Sequence, residues 1–202
     1  MKGGAISDAQ RGALRVLGRL LPQSAYLAGG VAVAARFGHR HSRDLDWFLP
    51  DQDPLALVDA AASAGARIVS RAEGTLYLDV GGVPTSVIRY AYPLLRPTEL
   101  LDDLKVQAAS LDDLACMKLS AIANRGKARD FWDLSEILDR QGQSLAEVLD
   151  GYRRKYRQED IGHVIRSLAY FADADAEPMP EGLPAEQWSE IKSEFRRRVL
   201  AL

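Results

Sequence analysis

A chain of 202 residues, 47% of them hydrophobic and with a formal charge of -2, can fill the core of one large or two small domains. It sets up no global field that would select nucleic acid or membrane. Cys116 is the only cysteine, which excludes an intrachain disulfide and a cysteine metal cage. Met1 to Ser7 lack the apolar core of a signal peptide and no apolar run is long enough to span a bilayer, so the expectation is a soluble, cytoplasmic protein.

Apolar periodicity predicts a helix over Asp8 to Leu21, a short strand at Ala25 to Ala28 and helical small residues from Gly30 to Phe37. Leu45 to Leu49 reads as a strand and Pro54 to Ala64 as a helix opening on proline. Arg67 to Val69 reads as a further short strand. Leu76 to Val80 and Val83 to Tyr90 flank Gly81 and Gly82, a pair suited to a tight hairpin. From Ser110, a candidate cap, the pattern turns helical, with Asp113 favouring the same helix start. Phe131 to Arg140, Leu145 to Tyr156, Ile161 to Phe171 and Ala185 to Leu202 carry helical spacing, and prolines 178, 180 and 184 punctuate the last connection. The shift near Ala108 predicts an α/β core over 1–108 and a helical part over 109–202 that closes over it.

Within "YLAGGVAVAARFGHRHSRDLDWFLP", Tyr26 to Pro50, glycines at the end of a strand and start of a helix let a phosphate approach free backbone amides and the positive end of the helix. Gly29 and Gly30 fit that role. Asp44 and Asp46 stand two apart, so in a strand both side chains leave one face and can hold a divalent cation against phosphate. Taken singly, a glycine pair or a D-x-D serves turns far more often. Between them, "GHRHSR" supplies basic groups, Arg43 among them, that can neutralise phosphate; a metal site at His39 and His41 lacks further ligands.

The strand, glycine pair, short helix and D-x-D strand together resemble the nucleotidyltransferase core of the DNA polymerase β superfamily, and more specifically the AbiEii toxin family of nucleotidyltransferases. "RYAYPLL", "SLDDLACMKLSAIANRGKARDFWDL" and "EQWSEIKSEF" are similar to that family's later segments, so the resemblance covers most of the chain. It implies an α+β fold, a mixed sheet flanked by helices and followed by a helical bundle. It also implies transfer of a nucleoside monophosphate from a nucleoside triphosphate to an acceptor hydroxyl, with tRNA as an acceptor, an antitoxin as partner and magnesium as cofactor. Gly29 and Gly30 would hold the triphosphate, Asp44 and Asp46 magnesium, and Lys118 phosphate, while Asp130 completes the later motif.

Independently of family, Leu111, Leu114, Ala115, Lys118, Leu119 and Ile122 share one helical face, apolar but for Lys118. An ammonium facing inward needs an anion: a structural carboxylate or a substrate phosphate. "NRGKARDF" places Arg125, Lys127 and Arg129 around a glycine, either gripping phosphate or solvated at a helix junction. Asp130 can equally start the helix near Phe131. "YRRKY", Tyr152 to Tyr156, alternates bases with aromatic ends as RNA-binding surfaces do, but a solvated helix face is the expectation.

Superfamily relatives often carry a third carboxylate on a neighbouring strand. Ser86 stands there instead and can serve neither as a strong cation ligand nor as a base. A two-residue turn at Gly81 and Gly82 would set Tyr77 across from Ser86 and Asp79 diagonal to it, leaving Asp79 as a substitute or as a strand-ending turn residue. A catalytically impaired nucleotide- or RNA-binding module, and transfer to a protein or small molecule, are the alternatives.

Overall fold

A computed structural model describes residues 6–202. The chain divides into two compact units, one made of Met1–Tyr92 with Pro97–Ala109, the other of Pro93–Arg96 with Ser110–Leu202. The short Pro93–Arg96 segment therefore belongs with the helices, and Ala109 with the sheet.

In the first unit α1 (Asp8–Leu20) opens with a capping box in which Ser7 and Gln10 satisfy each other's backbone amides. β1 (Tyr26–Ala28) runs directly into α2 (Gly29–Phe37), which ends on left-handed Gly38. β2 (Leu45–Leu49) follows. The helix expected over Pro54 to Ala64 is split: Asp53 caps a 3-10 turn at Pro54–Leu57, and α3 covers only Val58–Ser63. The strand expected at Arg67 to Val69 continues to Ala72 as β3 (Arg67–Ala72), with a bulge between Ile68 and Ser70. β4 (Thr75–Val80) and β5 (Val83–Arg89) form the expected hairpin, its two glycines at φ 63 and 84. The sequence reading passed over β6 (Glu99–Leu101) and β7 (Val106–Ala108), three residues each and too short to show a period.

The seven strands form one mixed sheet in the order β3-β4-β5-β2-β1-β7-β6. Alternation separates its faces. Leu27, Leu45, Trp47, Leu49, Leu76, Leu78 and Val87 are buried on one side, whereas Asp46, Phe48, Ser86 and Ile88 on the other are half-buried.

The second unit contains α4 (Leu111–Arg125), α5 (Ala128–Gln141), α6 (Leu145–Tyr156), α7 (Gly162–Ser167), α8 (Ala172–Ala176) and α9 (Ala185–Leu200). The helix expected over Ile161 to Phe171 is shortened to α7, and α8 begins only after Phe171. α4 packs on α5, α6 and α7, and α5 on α9. Phe131 anchors the latter contact, its ring 5.3 Å from Phe195 and 5.8 Å from Trp188.

Candidate active site

Asp46 lies opposite Ala28 in the antiparallel β1–β2 pair, so the start of α2 stands beside its carboxylate. Gly29 has φ +65, a conformation that turns the chain from strand to helix without a side chain. A β-carbon there would strike Asp46 Oδ2 and lie 3.0 Å from its Cγ. One at Gly30 would meet the Arg40 guanidinium and stand 2.8 Å from Ser42 Oγ. Ala28 offers no side chain to cap α2, so backbone amides, the positive helix end, a guanidinium and a hydroxyl converge within reach of one carboxylate. Such an arrangement can hold an anion beside a carboxylate oxygen.

Asp44 is exposed immediately before β2, two residues from Asp46, and Arg43 is exposed beside it. Gln10, which sequence reasoning missed, holds this segment from below. Its amide nitrogen donates to the carbonyls of Ser42 at 2.6 Å and Arg43 at 3.3 Å, while its Oε1 accepts from Ser7 N–H at 2.9 Å. The S-x-x-Q capping-box pattern marked Gln10 as a helix-start residue, but nothing local marked its second partner.

Among the described residues no group of three or more carboxylate, histidine or cysteine side chains gathers as a metal cluster. Asp44 and Asp46 are the carboxylates that would hold magnesium, which commonly takes one or two protein carboxylates and completes its shell with water and substrate phosphate. Ser86 is the parallel-register partner of Asp46, directly where a third carboxylate was sought. Asp79 does not replace it: Asp79 Oδ1 accepts the Gly82 N–H at 2.9 Å and Oδ2 pairs with Arg67 at 3.2 Å. It is the turn residue of the hairpin.

In the second unit Lys118 is 4% exposed, its ammonium 3.0 Å from Asp130 and 2.6 Å from Asp133. Arg125 reaches Asp130 through Nε and a terminal nitrogen, both at 2.8 Å. Burial raises the Asp130 pKa, but the charges and hydrogen bonds of Lys118 and Arg125 together outweigh it and hold the carboxyl below its ordinary value. Asp130 lies inside the first turn of α5, whose cap position is Lys127. Lys127 pairs with Glu177 at 3.0 Å and Arg129 is half-buried.

Another cation corrects the sequence reading. Lys155, expected on a solvated face, is wholly buried and 2.6 Å from buried Asp113. The period of α6 puts Lys155 three residues after buried Tyr152, on the packed stripe.

The family model for the nucleotidyl transferase AbiEii toxin, type IV TA system, matches residues 15–201. The chain belongs to that family. It is 35% identical over 178 residues to an uncharacterized protein of Aquifex aeolicus (strain VF5), covering 86% of this chain and 85% of that one. Among solved structures, MenT4, a nucleotidyltransferase toxin from Mycobacterium tuberculosis, is similar with a TM-score of 0.65 and 16% identity, over 96% of this chain and 82% of MenT4. An antigenic nucleotidyltransferase-like protein from Paracoccidioides brasiliensis gives a TM-score of 0.51 at 17% identity, over 80% of this chain and 94% of that one. These likenesses bear out the α+β nucleotidyltransferase fold, and the AbiEii family supports nucleotidyl transfer as the chemistry. No helix among the described residues is long and apolar enough to cross a membrane.

Proposed function

We propose that this AbiEii-family protein is a magnesium-dependent enzyme that transfers a nucleoside monophosphate from a nucleoside triphosphate to an RNA hydroxyl, with tRNA as the acceptor. Its role is that of a cytoplasmic toxin restrained by a cognate antitoxin. The observation that supports the chemistry is the close approach of Asp46 to Gly29, where a β-carbon would strike its carboxylate, at the start of a helix that Ala28 does not cap.

Magnesium on Asp44 and Asp46 would supply positive charge against the triphosphate. The amides of Gly29 and Gly30 hold phosphate oxygens, aided by Arg40, Arg43 and the Ser42 hydroxyl. An acceptor oxygen bonds to the α-phosphorus as the bond to the bridging oxygen of pyrophosphate breaks, and pyrophosphate leaves. The hydroxyl proton passes to water, because Ser86 supplies no base in the register beside Asp46. Lys118 and Asp130 act in this reading by fixing the α4–α5 junction within the second unit.

Ser86 also favours a second reading, a nucleotide-binding module without turnover. Incubating the protein with each labelled nucleoside triphosphate, magnesium and total RNA separates the two. Label on RNA that disappears with Asp46→Asn, at an unchanged melting temperature, is the expected result. Label on protein or a small molecule overturns the acceptor; tight nucleotide binding with no label anywhere establishes the second reading.

A further inference from the structure

The sheet face that carries Asp46 differs on its two flanks. Toward β1, Ala28 pairs with Asp46 and leads into the uncapped start of α2. Toward β5, Asp46 pairs with Ser86, Ser86 with Tyr77, and Tyr77 with Ser70. Residues in register share a face, and each step across strands is about 4.8 Å, so Tyr77 stands roughly 10 Å from Asp46 at the backbone. Its side chain is 41% exposed although β3 and β5 flank β4 on both sides. Short serines on either side leave it no bulky neighbour along the row.

One row further, Arg67 pairs with Asp79, its side chain 69% exposed. An exposed pair of this kind contributes little. Asp79 keeps its Gly82 amide if Arg67 turns to another anion.

In-line transfer puts the entering oxygen and the leaving pyrophosphate on opposite sides of the α-phosphorus. With the triphosphate at the α2 amides on the β1 flank, the acceptor enters from the β5–β4 flank. An exposed aromatic ring with a guanidinium beside it is what a single strand of RNA needs: a face for a base and a charge for a phosphate. Ser86, where a longer side chain would intrude, leaves space for the terminal nucleotide.

We propose that Tyr77 and Arg67 form the acceptor subsite, Tyr77 stacking on a base near the RNA 3′ hydroxyl and Arg67 meeting the backbone. This rests on the RNA-transfer reading above, and the test keeps the two apart. A fluorescein-labelled single-stranded RNA with a free 3′ hydroxyl is titrated with parent, Tyr77→Ala, Tyr77→Trp and Arg67→Gln proteins, while calorimetry follows nucleoside triphosphate with magnesium in each. Tyr77→Ala should weaken RNA binding about 10-fold, the weight of one stacked base, and Tyr77→Trp should restore it. Arg67→Gln should flatten the salt dependence of RNA binding, and nucleotide affinity should hold throughout. RNA affinity within twofold of the parent in Tyr77→Ala overturns the subsite while the parent still labels RNA. A parent that labels protein and binds no RNA overturns the acceptor reading and the subsite with it. Parallel loss of nucleotide affinity in Tyr77→Ala assigns Tyr77 to the fold and also overturns the proposal.

Discussion

Lys118 and Asp133 form a 2.6 Å ion pair sealed from solvent, with Asp130 3.0 Å from the same ammonium. An ammonium between two buried carboxylates is already neutralised, so a nucleotide gains little by replacing either partner. Lys118→Met keeps a long flexible stem but leaves both carboxylates without that cation. It should cost about 3–5 kcal/mol of unfolding free energy, with nucleotide affinity in the remaining folded protein changed less than threefold. Denaturant melts beside nucleotide titrations check this; a large affinity loss at unchanged stability would instead make Lys118 a phosphate ligand.

The same cluster predicts a pH dependence. Because Asp130 has a folded pKa below the ordinary carboxylate value, its stabilisation is fully present above that ordinary value. It is lost as pH falls through the lower folded one. Urea midpoints from pH 7 to pH 3 should fall more steeply for the parent than for Asp130→Asn, which has no proton to take up there. Parallel curves would show that Asp130 gains nothing from its cations.

Local rules made much of this molecule legible. The strand over Leu45 to Leu49, the glycines at the strand-to-helix junction and the two-residue hairpin each follow from period and turn chemistry confined to a few residues, although Asp44 falls just before β2 and not in it as the D-x-D spacing predicts. The inward-facing Lys118 was visible as the one charge on an apolar stripe, but its carboxylate partners lie 12 and 15 residues away on α5, and a stripe does not say which anion fills it. Lys155 and Gln10 were misread or missed for the same reason: their partners lie 42 and 32 residues distant. β6 and β7 hid because three residues cannot display an alternation.

Gln10 carries a prediction that separates positioning from packing. Gln10→Glu can still accept from Ser7 N–H and so keep the capping box. Its carboxylate, however, would face the carbonyls of Ser42 and Arg43 where an amide now donates. The segment before Asp44 should shift, raising the magnesium concentration needed for half-maximal label transfer at least threefold. Gln10→Met, which removes the clamp without adding charge, should fall between Gln10→Glu and the parent. A variant that melts earlier yet keeps the parent's magnesium requirement would reduce Gln10 to a packing role.

The Asp113–Lys155 pair should prove asymmetric when broken. Asp113 accepts from the amides of Leu95 at 3.0 Å and Arg96 at 3.2 Å and from Ser110 Oγ at 2.8 Å, so it retains several donors when Lys155 becomes methionine. Lys155 retains the Pro93 carbonyl at 2.9 Å, but no carbonyl replaces a full negative charge when Asp113 becomes asparagine. Asp113→Asn should therefore be the costlier single change, toward the upper end of the roughly 3–5 kcal/mol expected for breaking a buried pair. The double variant should be more stable than the sum of the two losses implies, because it strands neither charge. Urea melts of the four proteins complete the cycle. Equal single losses that add in the double variant would mean that the buried contact gains nothing from charge.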